Sequence, residues 1–480
     1  MKPSVKQAFA AETDMALDAY RDNDYDEAFR HLERAHILGQ RYFVAHMSTH
    51  WLMLKVALKR SDAKEIRGQI MRMIAVIPGY IFGWVPKGNT GGTNVSALKP
   101  MPIPEELEST LQGYNVWKDV LTRTLVWCLL GLAVWLGLFV SEVRILAGET
   151  RTIVSSFQGA CEQMAGFNGA EDIVYDREHG LVYAVGGDRR SFRSRGPGRA
   201  EIWVLPFDSD SSITATDISP SSPKVFRSFG MDLHIDKLGV RRLLVANRPD
   251  DGHSVEVFQI ESSGNLIHER TLRHPLLKNP NDLVAIGPSK ALVTLDKEAD
   301  SGTLGEILEG ALQRKTGKVL LIDNMGAEIV AERLQMANGI ALSPSGRELY
   351  VGETIAQRLS VFAFDPIKHS LVFDKHIQLN TGVDNITVNP DGRVFIAGHP
   401  KLLTLATGYQ KSESSPSPSE VLVYDPRSNV VKRLYVNDGL EHSGGSVAVV
   451  DEGLGRMLLG SAFGPHILSC KFDRSDVNSL

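Results

Sequence analysis

Four short polar stretches stand where apolar runs begin: Glu171-Asp172, Asn281-Asp282, Asn338-Gly339 and Asp384-Asn385. The last opens GVDNITVNPDGRVFIAG, residues 382–398, where an acid and an amide precede an apolar run and a Pro-Asp-Gly turn. Carboxylates and amide carbonyls are hard oxygen donors, and no thiol accompanies them. Such a set suits Ca²⁺, which takes roughly six to eight oxygen ligands in flexible geometry. Zn²⁺ would require histidine or cysteine, and Mg²⁺ a tighter octahedron. Singly, each pair is an ordinary turn signal. Glu171, Asn281, Asn338, Asp384 and Asn385 become one candidate cation site if the fold gathers the strand heads. Carboxylates meeting there would repel one another without a cation.

A second set lies near the N-terminus: His31, His36, His46 and His50. His46 and His50 are four apart, so on a helix they share a face and make half a site for a transition metal. Polar histidines on the faces of a helical bundle are the plainer reading. The glycine-rich GWVPKGNTGGTNVSALKPMPIP that follows is a loop, and it lacks the GxxxxGK[ST] order of a phosphate loop. No GxSxG elbow and no HExxH helix occurs, which leaves serine-hydrolase and zinc-protease chemistry without support. With 52 Lys+Arg against 57 Asp+Glu, a net charge of −5, there is no basic excess for nucleic acid.

The elements that must position these residues fall into three parts. Residues 1–115 have helical spacing, and ALDAYRDNDYDEAFRHLERAHILGQ has the small-aromatic alternation of a tetratricopeptide-like hairpin. LVWCLLGLAVWLGLFV, residues 125–140, carries no charge and predicts one transmembrane helix over 122–143. A buried core helix is the alternative. From 152 to 480 the pattern changes to short strands. One unit, apolar strand–turn–apolar strand, recurs at DIVYDREHGLVYAVGG, DLHIDKLGVRRLLVAN, DLVAIGPSKALVTLD, GIALSPSGRELYVGE, NITVNPDGRVFIAG and SVAVVDEGLGRMLLGSA. The copies start roughly 50–60 residues apart, room for one four-stranded sheet each, which predicts an all-β six-bladed propeller. In that fold the innermost strand of each blade lines the central channel, so the polar heads face one mouth.

Of three cysteines, Cys128 lies within the span, and Cys161 and Cys470 stand at the two ends of the propeller region. Joined, they would staple the first and last blades in an oxidising compartment; two unrelated thiols are the alternative. Lys118 and Arg123 on one flank of the span balance Arg144 and Arg151 on the other, so flanking charge sets no orientation. With no export signal ahead of it, the helical domain is expected in the cytoplasm and the propeller in the periplasm or outside the cell.

These stretches resemble known families. LLVANRPDDGHSVEVFQI, LRHPLLKNPNDLVAIGP, MANGIALSPSGRELYV, GVDNITVNPDG and SPSEVLVYD make residues 155–475 similar to the serum paraoxonase/arylesterase family of calcium-dependent six-bladed propellers. The resemblance implies a catalytic Ca²⁺ on Glu171, Asn281, Asn338, Asp384 and Asn385. It implies a second, structural Ca²⁺ on Asp172, Asp282 and the Met231 carbonyl, and a ring-closing disulfide between Cys161 and Cys470. It also implies a membrane-anchored hydrolase of small aryl esters or lactones, with Glu171, Asp384 and His399 as candidate catalytic groups. A sugar-lactone hydrolase of the gluconolactonase type, or a non-catalytic calcium-stabilised binding propeller, are the alternatives. The family's histidine pair falls on Phe229 and Arg248, neither of which can serve as a base, and changing either is expected to alter substrate fit and not the cation site. In the helical part, HLERAH and VPKGNTGGTNVS resemble a small bacterial family of unassigned function.

Overall fold

The computed structural model describes residues 1–473 except 112–115, 194–198, 210–212, 214 and 251. The expected ends of the helical part and of the propeller, 115 and 480, lie outside the described residues. The chain divides into two compact units, Met1–Phe139 and Val140–Leu480.

The first unit is built from α1 (Pro3–Arg21), α2 (Tyr25–Gly39), α3 (Phe43–Lys59), α4 (Ala63–Phe82) and the short α5 (Glu105–Glu108). Each of the first four packs on its neighbour in sequence. Asp24 and Asp62 set where α2 and α4 begin, their side chains accepting from the free first-turn amides of Glu27 and of Lys64 and Glu65. Ala16 and Ala28 allow close approach of the first hairpin, and Leu32, Met53 and Val56 fill the space behind them. α6 (Val116–Leu146) follows, about 46 Å of helix at 1.5 Å per residue. It is the one helix among the described residues long and apolar enough to cross a membrane. It overruns the expected 122–143 at both ends, because Lys118, Asp119, Glu142 and Arg144 continue the helix beyond the uncharged stretch.

The second unit is the six-bladed propeller, with six antiparallel sheets of four strands. The inner strands are Ala170–Asp176, Ser228–Ile235, Pro280–Gly287, Ala337–Leu342, Gly382–Val388 and Gly445–Asp451. Each touches the inner strand of the next blade, and the sixth touches the first, so the ring is closed. Apolar residues packed between neighbouring sheets form the core, for instance Leu244, Val257, Leu283 and Val293 between the second and third blades. The sixth blade is completed by a strand from the other end of the unit, Gly159–Ala165, paired with His466–Phe472. Cys161 and Cys470 lie opposite each other in that pairing and form the disulfide. Cys128 is a free, exposed thiol.

Three aspartates bracket consecutive blades. Asp172 accepts from its own strand at Ile173 N and from the next blade at Met231 N, 2.9 and 2.6 Å. Asp232 does the same with Leu233 N and Ala285 N, both 2.8 Å, and Asp282 with Leu283 N and Ile340 N, 2.7 and 2.9 Å. A carboxylate accepting two amides in a buried site is worth more than a neutral hydrogen bond, which is why charged residues sit in this otherwise apolar layer. Gly230 makes room for one bracket: a Cβ there would fall 2.1 Å from Asp282 Oδ1.

Candidate active site

Every inner strand breaks register at its head. Pairing jumps from Ala170 to Asp172, Ser228 to Met231, Pro280 to Leu283, Ala337 to Ile340, Val383 to Ile386 and Gly445 to Val447. The residues skipped are Glu171, Phe229-Gly230, Asn281-Asp282, Asn338-Gly339, Asp384-Asn385 and Ser446. A bulge releases a residue from the ladder and re-aims its side chain, so the polar pairs seen in the sequence are the bulges. Glu171, Asn281, Asn338, Asp384 and Asn385 are all buried, between 1% and 7% exposed.

The three amides are oriented by their nitrogens. Asn281 Nδ2 faces Asp296 Oδ2 at 3.5 Å, Asn338 Nδ2 donates to Thr354 Oγ1 at 3.2 Å, and Asn385 Nδ2 donates to the Glu171 carbonyl at 3.0 Å. Their carbonyl oxygens have no hydrogen-bond partner, and Glu171 Oε2 meets the Arg189 guanidinium as an ion pair. Buried oxygens left bare in this way cost free energy unless something positive meets them, and an all-oxygen donor set with two carboxylates fits Ca²⁺. Asp384 Oδ2 is 2.7 Å from His399 Nε2, while His399 Nδ1 is unpartnered.

The charges agree with that fit. Burial pushes the Glu171 carboxyl up to about 7, with Arg189 drawing it down and Asp384 pushing it up. Burial also holds Asp172 well above the usual range, helped by the charge on Glu171, and Asp282 likewise, helped by Asp172. Asp232, farther round the ring, is pushed up to about 6 by burial. Neighbouring carboxylates that raise one another are repulsion that a cation removes.

The Met231 contact with Asp172 runs through its amide nitrogen. Both oxygens of Asp172 and of Asp282 already accept backbone amides, so the brackets come first for these two, and any ion there uses remaining lone pairs.

Arg189 and Asp296 had no signal in the sequence, and Arg248 was marked there only by the family resemblance. Arg189, which opens the short helix Arg189–Arg193 after the first blade's second strand, lies 3.1 Å from Glu171 Oε2 as an ion pair and donates to Ser228 O at 2.9 Å. Its guanidinium carbon is 4.0 Å from the centre of the Phe229 ring, and that of Arg248 is 3.9 Å from the same ring. Arg248 also donates to Asp296 Oδ2, Asn279 O and Pro280 O at 2.8, 2.9 and 2.6 Å. Arg248 therefore clamps the strand head that carries Asn281, and the expectation that it leaves the cation site alone does not fit this geometry. Arg189 and Asp296 are remote in sequence from the residues they serve, so neither spacing nor periodicity could point to them.

Of the four N-terminal histidines, His36, His46 and His50 come together in the helical unit. His31 stands apart, bonded to Glu12 at 2.7 Å. Around the propeller, Leu304–Ala311 forms a short helix and Thr404–Tyr409 a π-helical turn.

Comparison with known proteins agrees with this architecture. A family model described as arylesterase matches residues 189–472, and one described as a protein of unknown function (DUF3703) matches residues 3–111. The chain is 30% identical to serum paraoxonase/arylesterase 1 of Homo sapiens over 313 residues, covering 62% of this chain and 84% of that protein. It is 32% identical to serum paraoxonase/lactonase 3 of Mus musculus over 334 residues, 67% of this chain and 91% of that protein. Serum paraoxonase/arylesterase 2 of Gallus gallus is 30% identical over 310 residues, 62% and 84% of the two chains. With its propeller, its bulged strand heads and matches of this extent, the chain belongs to the arylesterase family.

Proposed function

We propose that this protein is a calcium-dependent hydrolase of aryl esters or lactones, anchored in a membrane by α6 with its propeller outside the cytoplasm. The observation that carries the reading is the set of buried, unpartnered amide oxygens on Asn281, Asn338 and Asn385, gathered with the buried Glu171 carboxylate in a chain of the arylesterase family. With Asp384, these residues hold one ion; Asp172, Asp282 and the Met231 carbonyl hold a second that is structural. A bound Ca²⁺ supplies Lewis-acid polarisation of the substrate carbonyl and a counter-charge for the oxyanion.

The protein's own residues supply the proton chemistry. Phe229 has no titratable atom and the Arg248 guanidinium stays protonated, so neither accepts a proton. His399 Nε2–H holds Asp384 Oδ2, and the other oxygen of Asp384 takes the proton of the attacking water. The bond from carbonyl carbon to ester oxygen then breaks, and the same proton passes to the departing oxygen. For a lactone that oxygen stays in the product as the hydroxyl of the opened ring.

Phenyl acetate, an aliphatic lactone and a sugar lactone, each assayed with Ca²⁺ and with chelator, test the proposal. Turnover of the first or second that chelator removes and Ca²⁺ restores is the expected result. Turnover of the sugar lactone alone favours a gluconolactonase-type activity. No turnover of any of the three by calcium-loaded protein favours a binding propeller.

The anchor rests on α6, where an uncharged-to-sparsely charged window of mean hydropathy 2.1 has none of its residues buried. Leu125, Trp135 and Leu138, at 56%, 58% and 67% exposed, lie along it. A disulfide persists in an oxidising compartment, and the Cys161–Cys470 bond supports a propeller on the far side of the membrane from the cytoplasm. An alkaline phosphatase fused after Leu480 should be active in intact cells. A fusion active only as a cytoplasmic reporter would reverse the orientation.

A further inference from the structure

The helical unit brings three histidine rings together, and their neighbours specify which nitrogens are free. His36 on α2 and His46 and His50 on α3 have ring nitrogens all within 4.8 Å of one another. His36 Nε2 is 3.2 Å from His50 Nε2, which is 3.1 Å from His46 Nε2. His36 Nδ1 is 2.8 Å from the carbonyl oxygen of Asn89, which can only accept, so the ring proton is on Nδ1 and Nε2 carries a lone pair. His50 Nδ1 is 2.7 Å from Gln69 Oε1. The Gln69 nitrogen donates to Glu65 Oε1 at 2.6 Å and to Gly91 O at 2.9 Å, so its oxygen is fixed toward His50 and again the proton is on Nδ1.

Two lone pairs therefore face each other across 3.2 Å between residues that are each 2% exposed. Two bare acceptors cannot hydrogen-bond, and burial keeps water from intervening. A metal ion resolves the conflict. In a tetrahedral site with metal–imidazole bonds of about 2.0–2.1 Å, ligand nitrogens stand about 3.3 Å apart. Metal-bound histidines characteristically donate their other ring N–H to a carbonyl or carboxylate, and His36 and His50 both do.

We propose that His36, His46 and His50 form a three-histidine site for a divalent transition metal of the Zn²⁺ class, with one coordination position left to a water or small ligand. Neutral imidazole donors select this class over Ca²⁺ and Mg²⁺. The glycine-rich loop is the outer shell. Asn89 is locked by its own side chain, which accepts from Gly91 N at 3.0 Å and donates to Ser96 O at 2.8 Å and Lys99 O at 2.9 Å. Gly91 has a φ of +82°, and a Cβ there would sit 2.7 Å from the His36 ring. Arg72, a cation near all three histidines, is tied to the same loop at Gly92 O and Val95 O, and Glu65 offsets its charge. His31 takes no part.

The test uses untagged full-length protein in detergent, stripped of transition metals, with Ca²⁺ saturating so that oxygen sites do not compete. Titration with Zn²⁺, and separately with Co²⁺, should show one equivalent bound, the Co²⁺ form having the intense visible absorption of a nitrogen-ligated tetrahedral ion. His46→Ala and His50→Gln should each weaken Zn²⁺ binding by more than about 100-fold. Gln69→Leu should weaken it about 10- to 100-fold, and His31→Ala not at all. Failure of wild-type protein to bind Zn²⁺ stoichiometrically, a weak octahedral Co²⁺ spectrum, or unchanged affinity in folded His46→Ala would each overturn the proposal. Should the histidine variants misfold, the Co²⁺ spectrum of the wild type decides alone.

Discussion

Replacing Asp384 with alanine should lower kcat/KM for aryl ester or lactone by at least about 10³-fold, a loss of roughly 4 kcal/mol in transition-state stabilisation. Three roles end together: a charged oxygen among the candidate cation ligands, the acceptor of the water proton, and the partner of His399 Nε2 at 2.7 Å. Asp384→Asn separates them, since it keeps an oxygen donor but cannot take the proton. It should bind Ca²⁺ more weakly yet measurably, and at saturating Ca²⁺ should remain almost inactive. His399→Gln should behave differently, because the amide can still donate to Asp384. As a positioning residue it should cost about 10- to 100-fold in activity and leave the pH profile in place. Wild-type turnover by Asp384→Asn at saturating Ca²⁺ would remove Asp384 as the base. Full activity in chelated, metal-free protein would falsify the calcium mechanism while leaving the fold untouched.

Loss of the Cys161–Cys470 bond should be the largest single-site effect on stability. The bond closes a loop of 309 residues, for which the chain-entropy relation gives about 5–6 kcal/mol; measured losses for native disulfides are usually about 2–5 kcal/mol. The effect should exceed that of an average buried substitution for a structural reason. The strand Gly159–Ala165 is the only part of the sixth blade that comes from the other end of the unit. Without the covalent bond, ring closure rests on one ladder of hydrogen bonds and the packing behind it. Cys161→Ser, melted at saturating Ca²⁺, should unfold at lower denaturant concentration by that margin, and reductant should bring the wild type to the same point. Peptide mapping without reduction should find Cys161 joined to Cys470 and Cys128 free. Protein from the oxidising compartment with all three thiols free would end the claim.

Both predictions use features visible at different levels. The period of apolar strand, turn and apolar strand is local information, because strand propensity and Pro-Asp-Gly or Ser-Gly turns act over a few residues. Six repeats of that length leave a closed ring as the economical way to bury each sheet against the next. That is why the propeller, the apolar helix over 125–140 and the polar strand heads could be read directly. The likeness of LRHPLLKNPNDLVAIGP and GVDNITVNPDG to a known family then assigned chemistry to those heads.

Tertiary structure decided what depends on residues far apart in the chain. Register breaks in the pairing of each inner strand with its neighbour leave Glu171, Asn281, Asn338, Asp384 and Asn385 out of their ladders. Which way each amide points is set by Asp296, Thr354 and the Glu171 carbonyl. The stacking of Arg189 and Arg248 on Phe229 joins a short helix, a loop and an inner strand, and it makes an arginine expected to act on substrate fit into a clamp on the strand head of Asn281. Likewise, helical spacing put His46 and His50 on one face, but only the packing of α2 against α3 brought in His36, while His31 is held apart in a hydrogen bond with Glu12. Sequence by itself determined the kinds of donor available and the period of the elements bearing them, because those are properties of neighbours along the chain. Which donors are left bare, and therefore which can bind, was decided by hydrogen bonds between residues that only the fold makes neighbours.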